Sequence, residues 1–593
     1  MKKFLVLLAV LVFYIPLTAQ RLVILHTNDM HSKITGYGPE SQYTPLSLND
    51  DKTLGGFARL ASVVKKERSQ NPNSFLLLDA GDFLMGTLFH TLEPKTGFQL
   101  NMMKQLGYDA ITFGNHEFDF GTAPLADVII SAKKRGGVPP IVAANLKFSK
   151  SNKDDKLQNL YENGVIKPYI IIKKNGLKIG IFGLLGYNAI EDIKNASPLQ
   201  FYDPIKTAKK YTKILRKKEK VDIIICLSHS GIYPKDDGSG YYGEDIKMAK
   251  KVKDIDIIIS GHTHVETPQY IQVGKTIIVQ TGCYLHNVGR LEIEYKNGKV
   301  NVLNFRLIPL NDSILGDKKI NDQITKYEHL IEERILRRYA LSYKEPIAEL
   351  GFDIPLSSHK KPFPTPLGNL VADAEKYYLD NYADSTDIYI TASGTLRENL
   401  FKGQITPPDA FRVLSLGFGK NDYEGYPIVK AYLTAHEIKQ IMEIAYISND
   451  PGSDSYLYFS GVKAYYNPNK GFLHKIVKLE IGGKPVDFSR KNKKLYSVAT
   501  NYYIMQFVGK IKKLSYGLVR VYTKNKQGEK ISDVNKMIVD FNKREPGVQE
   551  GKEWFGLIKY LQTFKDTDGD GISNVPDSYK KFAPYLIPVN SEK

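Results

Sequence analysis

Residues 22–31 read LVILHTNDMH, an apolar β-rich run that ends in a cluster of polar, acidic and imidazole side chains. The same pattern recurs along the next 240 positions or so. FLLLDA (75–80) is followed by Asp82, AITF (110–113) by Asn115 and His116, DIIICL (222–227) by His229, and DIIIS (256–260) by His262 and His264. With Asp29 and His31 after LVIL, five strand-like runs each deliver oxygen or imidazole groups at their carboxyl ends. Open α/β sheets gather ligands along that edge, so residues far apart in sequence can share one cleft. The set holds no thiolate, which suits borderline to hard divalent ions such as Zn²⁺, Mn²⁺ or Fe²⁺. It is too large for one tetrahedral ion. Two ions sharing a carboxylate fit the count, and such pairs activate a hydroxide while neutralising phosphoryl oxygens.

Around these runs the chain reads as a layered α/β protein. Further strand-like runs are PIVAANL (140–146) and TIIVQ (276–280), and helix-like stretches lie at 55–70 and 98–109. Asn175-Gly176 and Asn297-Gly298 sit between alternating runs and mark hairpins, so the sheets are mixed. From Lys319 to about Lys344 there is no Pro or Gly, and Ile320, Ile324, Tyr327, Ile331 and Ile335 recur at helical spacing, which predicts a linker helix. A second α/β region comes next, ahead of a short acidic-then-apolar tail.

Length and composition bound the rest. A chain of 593 residues allows two to four domains, and 42% hydrophobic with 25% charged residues describes a globular protein. The formal charge of +18 comes from lysines spread along the chain, so a compositional bias accounts for it and no nucleic-acid partner is expected. Lys2 and Lys3, the apolar stretch from Phe4 to Ile15 and the small residues Thr18 and Ala19 read as a secretory signal peptide cleaved near Ala19. The apolar run is short for a transmembrane anchor, which places the mature chain in the periplasm or outside the cell. Cys226 and Cys283 cannot form a disulfide scaffold; an oxidising compartment would allow one bridge between them, but their apolar contexts favour two buried free thiols.

A lone DxH or HxH is commonly a turn with a surface histidine. The ordered series is more specific: HTNDMH, GGFARL (55–60), GDFLMGT, GNHEFD and GHTH, then LGNLVADA (367–374), together resemble the calcineurin-like metallophosphoesterases of the 5'-nucleotidase family. That resemblance implies a four-layer αββα catalytic domain (20–312), a linker helix (313–345) and a second α/β substrate-binding domain (346–563), with a signal peptide (1–19) before them and a tail (564–593) after. It implies one metal on Asp29, His31, Asp82 and His264 and another on Asp82, Asn115, His229 and His262, with His116 as the catalytic histidine and Asp119 as its partner. An imidazole held by a carboxylate three residues on can stay protonated and stabilise charge on phosphoryl and leaving oxygens.

The second domain departs from the family pattern. Arg397 is kept in TASGTLR, but Ala392 stands where the family has an asparagine, and Lys361 replaces an arginine. Phe418 in GFGKND and Tyr502 or Tyr503 in VATNYY stand where the family stacks a base, whereas the aspartate expected to bind ribose has no equivalent in IMQFVGK. In the tail, DTDGDGISNVPD resembles the calcium loops of thrombospondin-type repeats, which implies a Ca²⁺ held by Asp566, Asp568, Asp570, the Ile572 carbonyl and Asp577. The function implied is release of phosphate from nucleoside 5'-monophosphates. Rival readings are hydrolysis of UDP-sugars or 2',3'-cyclic nucleotides and, from another class, a surface binding or adhesion protein on this scaffold.

Overall fold

The computed structural model describes residues 19–356, 363–420, 422–508 and 519–589. Residues 1–18 of the expected signal peptide, and Lys361, lie outside the described residues. No helix among the described residues is long and apolar enough to cross a membrane.

Two sheets face one another in the first half of the chain. In the seven-stranded sheet, Gln20–Thr27 lies between Phe75–Asp79, parallel to it, and Asn287–Lys296, antiparallel to it. In the six-stranded sheet, Ile223–His229 lies parallel to both Leu177–Leu185 and Ile257–Ser260. Side chains alternate along a strand, so each apolar run supplies two layers. Leu22, Ile24, Leu76 and Leu78 turn inward and meet Ile179, Ile181, Ile223, Ile225 and Ile257 in one dry cluster between the sheets. Their neighbours Val23, Leu25, Phe75 and Leu77 turn outward under Phe57–Gln70, Phe98–Leu106 and Thr122–Arg135. On the far side Phe182, Ile224, Cys226 and Ile258 pack under Pro204–Lys213 and Glu244–Lys251. The result is helix, sheet, sheet, helix, with each fully buried Leu or Ile contributing about 1.5–3 kcal/mol. Both Asn-Gly pairs form the expected hairpins, joining Tyr169–Lys174 to Leu177–Leu185 and Asn287–Lys296 to Lys299–Pro309.

Some elements end earlier than their patterns predict. AITF and PIVAANL shrink to Ala110–Ile111, Ile141–Val142 and Leu146–Lys147, because the chain leaves the sheet to form the loops that carry Asn115 and His116 in one case and Asn145 in the other. The linker helix runs Lys318–Arg334 and then tightens into a short turn at Leu336–Tyr339, with Ala340 left-handed at φ 55°. It stops about ten residues short of Lys344 because Leu336, Leu341 and Tyr343 are all drawn into the same core as Ile320, Ile324 and Ile331. Tyr327 stacks on Phe98 at 3.9 Å, so this helix is a packed layer of the first half rather than a free spacer. Cys226 and Cys283 are free thiols; Cys226 is buried in its strand, and Cys283 is half-buried in a turn beyond one.

The second half is built on a four-stranded sheet ordered Ile428–Thr434, Leu495–Asn501, Ile388–Ala392 and Leu457–Ser460. The tail is not an appendage. Leu586–Pro588 pairs with Val462–Tyr466, and Val575 N and Glu349 N donate to the Glu349 and Ser573 carbonyls. The apolar core runs without interruption between the halves through Phe89, Tyr343, Phe411 and Trp554.

Pro366–Tyr382 packs against Glu553–Leu561 with two carboxyls between them. Glu553 accepts from Tyr389 Oη at 2.8 Å and Asn501 Nδ2 at 3.0 Å. Glu375 is wholly buried against Gly556, where a Cβ would stand 2.4 Å from its Oε2. Burial, and then Glu553, push its pKa well above the ordinary value. A carboxyl whose folded pKa is raised lends full stability below its unfolded pKa of about 4.3 and loses it as pH climbs toward the folded value. Glu375→Met removes that loss, so the variant should gain about 1–3 kcal/mol at pH 8, the scale of an uncompensated buried polar group, and much less at pH 4. Denaturant melts at the two pH values measure it, and an equal effect at both would mean that Glu375 carries no titration penalty.

Candidate active site

The loops at the carboxyl ends of the two central sheets are laced together by backbone bonds. Asp29 N donates to Gly81 O, and His31 N to Asp82 O, both at 2.9 Å. Asp29, His31, Asp82, His262 and His264 all have positive φ, between 48° and 83°. Left-handed backbone at such residues costs on the order of 1–3 kcal/mol each and persists only where surroundings over-determine it. What determines it is a set of buried polar staples. Asn28 Nδ2 donates to Asp29 Oδ2 and to Gly282 O, both at 2.6 Å, while its Oδ1 accepts from Thr281 N at 3.0 Å. Glu117 accepts from Asp82 N at 3.0 Å, Leu84 N at 2.9 Å and Gly114 N at 2.5 Å, tying the 81–84 loop to the 114–117 loop. Gly114 must be glycine, since a Cβ there would fall 2.1 Å from Asp82 Oδ1.

Inside this frame the side chains converge in groups that can hold ions: Asp29 with His31 and His264, and Asp82 with His229 and His262. His31 Nε2 and His264 Nε2 face each other at 3.0 Å. His229 Nε2 lies 3.0 Å from Asp82 Oδ2 and 3.2 Å from Asn115 Oδ1. Its Nδ1 is 2.8 Å from Ala80 O, a contact that makes Nδ1 the donor and leaves Nε2 toward the centre. Burial lowers His262 and His264 to about 3, and burial with the neighbouring His264 holds His31 well below its ordinary value, so all three favour the neutral imidazole, the form that ligates a metal. Burial pushes Asp82 upward, yet His229, His116 and His31 together hold it well below the carboxylate range. Burial opposes a charge on His229, but Asp82 and Asp29 outweigh it and raise its pKa to about 10, the mark of a centre that favours positive charge. Neutral imidazoles and carboxylates without thiolate suit a pair of borderline divalent ions.

His116 also lies beside His31 and Asp82, and these three form a further group of donor atoms. Its backbone N donates to Asp82 Oδ1 at 2.8 Å, and its Nδ1 is 2.5 Å from Asp119 Oδ2. Burial works against its charge, but Asp119 and Asp82 outweigh burial and raise its pKa above the ordinary value.

Residues of the second half reach this centre. Arg397 shares a small cavity with His31 and His116. Phe418, Tyr502 and Tyr503 line a neighbouring cavity of about 760 Å³ that extends to Lys194 and Asn195 of the first half. Asn195 Nδ2 donates to Asp119 O at 2.6 Å, linking that cavity to the His116–Asp119 pair. Each of these aromatics also has protein partners. Tyr503 stacks on Tyr426 at 5.6 Å, Phe418 meets Phe120 edge-on at 6.1 Å, and Tyr502 Oη turns to Asn535 Oδ1. Sequence reasoning missed Tyr426 and Asn195, for which no motif exists. It also missed Asn28 and Glu117, although HTND and GNHE contain them.

Asp566 accepts from the Gly569 and Gly571 N–H groups of its own loop at 2.6 and 2.8 Å. Asp568 and Asp570 gather with Glu349, a residue outside the motif. Asp577 lies 2.9 Å from Lys580 at the start of a helical turn. Ile572 spends its N–H on Asp570.

Glu117 touches neither ion site directly, yet it fixes both loops. Glu117→Gln puts an amide N–H against backbone donors and should weaken metal binding by about 10–100-fold, as loss of an outer-shell partner commonly does. Metal titration with elemental analysis tests this; unchanged affinity would show that the loops hold without it.

The family description "Calcineurin-like phosphoesterase" matches residues 22–266, and "5'-nucleotidase, C-terminal domain" matches residues 351–514. The Trifunctional nucleotide phosphoesterase protein YfkN of Bacillus subtilis (strain 168) is 28% identical over 514 residues, which are 82% of this chain but only 32% of that relative's length. The 5'-nucleotidase of Bos taurus is 32% identical over 330 residues, 52% of each chain. The crystal structure of a 5'-nucleotidase precursor from Thermus thermophilus shares the fold, with a TM-score of 0.67 at 22% identity over 96% of this chain and 100% of that one. The strand-end donor series, the layered sheets and these two family matches together make the chain a member of the calcineurin-like phosphoesterases, a class of metal-dependent phosphoester hydrolases, with a 5'-nucleotidase C-terminal domain.

Proposed function

We propose that this chain is a secreted or periplasmic phosphohydrolase that releases inorganic phosphate from nucleoside 5'-monophosphates. The observation that carries the reading is the meeting of two regions at one point. Arg397 of the second half stands in the cavity of His31 and His116, beside a larger aromatic-lined cavity of about 760 Å³. A cation at the metal centre suits a phosphate, and a pocket with Phe418, Tyr426 and Tyr503 suits the flat face of a base. Asp29, His31, Asp82 and His264 would hold one divalent ion, and Asp82, Asn115, His229 and His262 the other. When bound, the ions supply an activated water and offset charge on the phosphoryl oxygens. His116, held through Nδ1 by Asp119, keeps a proton on Nε2 and gives it to the departing 5'-oxygen as the phosphorus–oxygen bond breaks. The signal-like leader supports export, and the Asp568–Asp570–Glu349 group is where a calcium ion would sit.

Hydrolysis of other nucleotide phosphoesters at the same centre is the second reading. It is favoured by the absence of an aspartate at the ribose position and by Ala392, which together remove polar contacts that would discriminate among substrates. Several nucleoside monophosphates should then react within about tenfold of one another, only about 1.4 kcal/mol of differential binding. Exhaustive chelation should abolish activity, and Zn²⁺, Mn²⁺ or Co²⁺ should restore it. Phe418→Ala should depress kcat/KM for AMP and UMP more than for p-nitrophenyl phosphate. A panel over AMP, UMP, UDP-glucose, 2',3'-cyclic AMP and p-nitrophenyl phosphate, read both as phosphate release and by separation of the nucleotide products, decides between the readings, because cleaving either diester frees no inorganic phosphate by itself. Activity in a metal-free preparation would sink both.

The pH profile tests the role of His116. Its raised pKa means that the proton donor is present below that value and is lost as pH rises through it. Asp119→Asn removes a group that raises the pKa, so the alkaline limb of kcat/KM should move to lower pH with metal content unchanged. His116→Asn should retain its metals and lose roughly 10²-fold or more in kcat. An alkaline limb that stays in place in Asp119→Asn would assign it to another group.

A further inference from the structure

The second half meets the first along residues 397–401, and successive side chains of this stretch are engaged. Arg397 enters the cavity of His31 and His116. Glu398 pairs with Lys33, both only 2% exposed. Asn399 Nδ2 donates to Tyr37 Oη at 2.9 Å, and Phe401 packs edge-on against Tyr37 at 5.1 Å. Behind the stretch lies Arg412, 3% exposed, whose guanidinium has partners on both halves of the molecule. Its Nη1 donates to Glu40 Oε2 at 2.6 Å and its Nη2 to Gly38 O at 2.7 Å, both in the first half. In the second half Nη2 pairs with Asp409, and Nε lies 3.1 Å from Glu398 Oε1. The next residue, Val413, accepts from Arg397 N at 2.9 Å.

The two halves already share a continuous apolar core, so this cluster is not needed merely to keep them together. Burying a guanidinium, an ammonium and three carboxyls is costly unless geometry satisfies them, and apolar replacements of the same volume are often as stable. What a planar fork adds is direction: it addresses Glu40, the Gly38 carbonyl and Asp409 at fixed angles, which an ammonium cannot do. Here the fork ties Asp409 to the 38–40 loop beyond His31, its Nε faces Glu398, the neighbour of Arg397, as an ion pair without a hydrogen bond, and the adjacent Val413 carbonyl holds the Arg397 backbone.

We propose that Arg412 is a positioning residue for the hydrolysis: by fastening Glu398 and the 38–40 loop together, it sets Arg397 over the metal centre. This rests on the reading of Arg397 as the cation that receives the phosphate. Arg412 acts only through Arg397, and its effect is conditional on that side chain.

The test is a double-mutant cycle in the full-length, metal-loaded protein, with AMP as substrate and inorganic phosphate as competitive inhibitor. Arg397→Ala should lower kcat/KM by about 100-fold, and Arg412→Lys by about tenfold, chiefly through KM, with the phosphate inhibition constant rising in step. The double variant should be no worse than Arg397→Ala within about threefold, because coupled residues are non-additive. Glu398→Gln, which keeps the side-chain shape, should show the same dependence on Arg397 and serves if Arg412→Lys does not fold. Multiplying effects would overturn the proposal while leaving Arg397 as a phosphate ligand, as would an Arg412→Lys variant with unchanged KM. If Arg397→Ala alone has no effect, the reading of Arg397 falls and the proposal with it.

Discussion

The hold of Glu117 on three backbone N–H groups is the interaction on which the site depends. It joins the loop after Phe75–Asp79 to the loop after Ala110–Ile111, and so brings Asp82 and Asn115 to one point. Around that point sit two buried aspartates, with His31 and His229 also buried beside them and His116, His262 and His264 partly exposed at the rim. Such a set is unfavourable without compensation, because buried carboxylates repel and buried imidazoles resist protonation. The left-handed backbone at Asp29, Asp82, His262 and His264 adds strain to the same place. A protein that sustains both has its loops over-determined from beneath, and here the two facing sheets and the Asn28 and Glu117 staples do so.

The second constraint is the joint between the halves. Apolar packing through Phe411 and Trp554 supplies adhesion, which is non-directional. Alignment comes from the polar and aromatic contacts of residues 397–401 with Lys33 and Tyr37, where distances and angles matter. Adhesion and alignment are thus carried by different side chains. The larger cavity lies along the same joint, with Asn195 on one wall and Tyr426 and Tyr503 on the other, so its shape is also set by how the halves meet.

Much of the centre is legible in the chain alone. The apolar runs declare strands, and a polar residue directly after each run has little freedom in where it can go. The helix at 318–334 is legible as a face but not as a length, since its stopping point depends on Leu341 and Tyr343 finding a core built from residues far away. Motif position is enough to bring Phe418 and Tyr503 to one cavity, whereas their ring partners Phe120 and Tyr426 come from tertiary packing. In the tail, the acidic spacing is legible, whereas Glu349, which lies beside Asp568 and Asp570, comes from a strand far away in sequence.

The strand order of donors, the absence of thiolate among them, the pairing of His116 with Asp119 three residues on, and the family are all written in the amino-acid order. These are local properties: a strand's end, a ligand's chemistry and a one-turn spacing are each specified within a few residues. Three-dimensional packing alone makes Glu117 serve two loops at once, links Asp119 to the larger cavity through Asn195, and gathers Arg412, Glu398, Lys33 and Glu40 into one buried cluster behind Arg397. Lys33 and Arg412 are 379 positions apart, and neither stands in a motif of the second half that announces the other. Their meeting depends on the angle at which two separately folded sheets are brought together, and that angle is a property of the whole packed core rather than of any short stretch of chain.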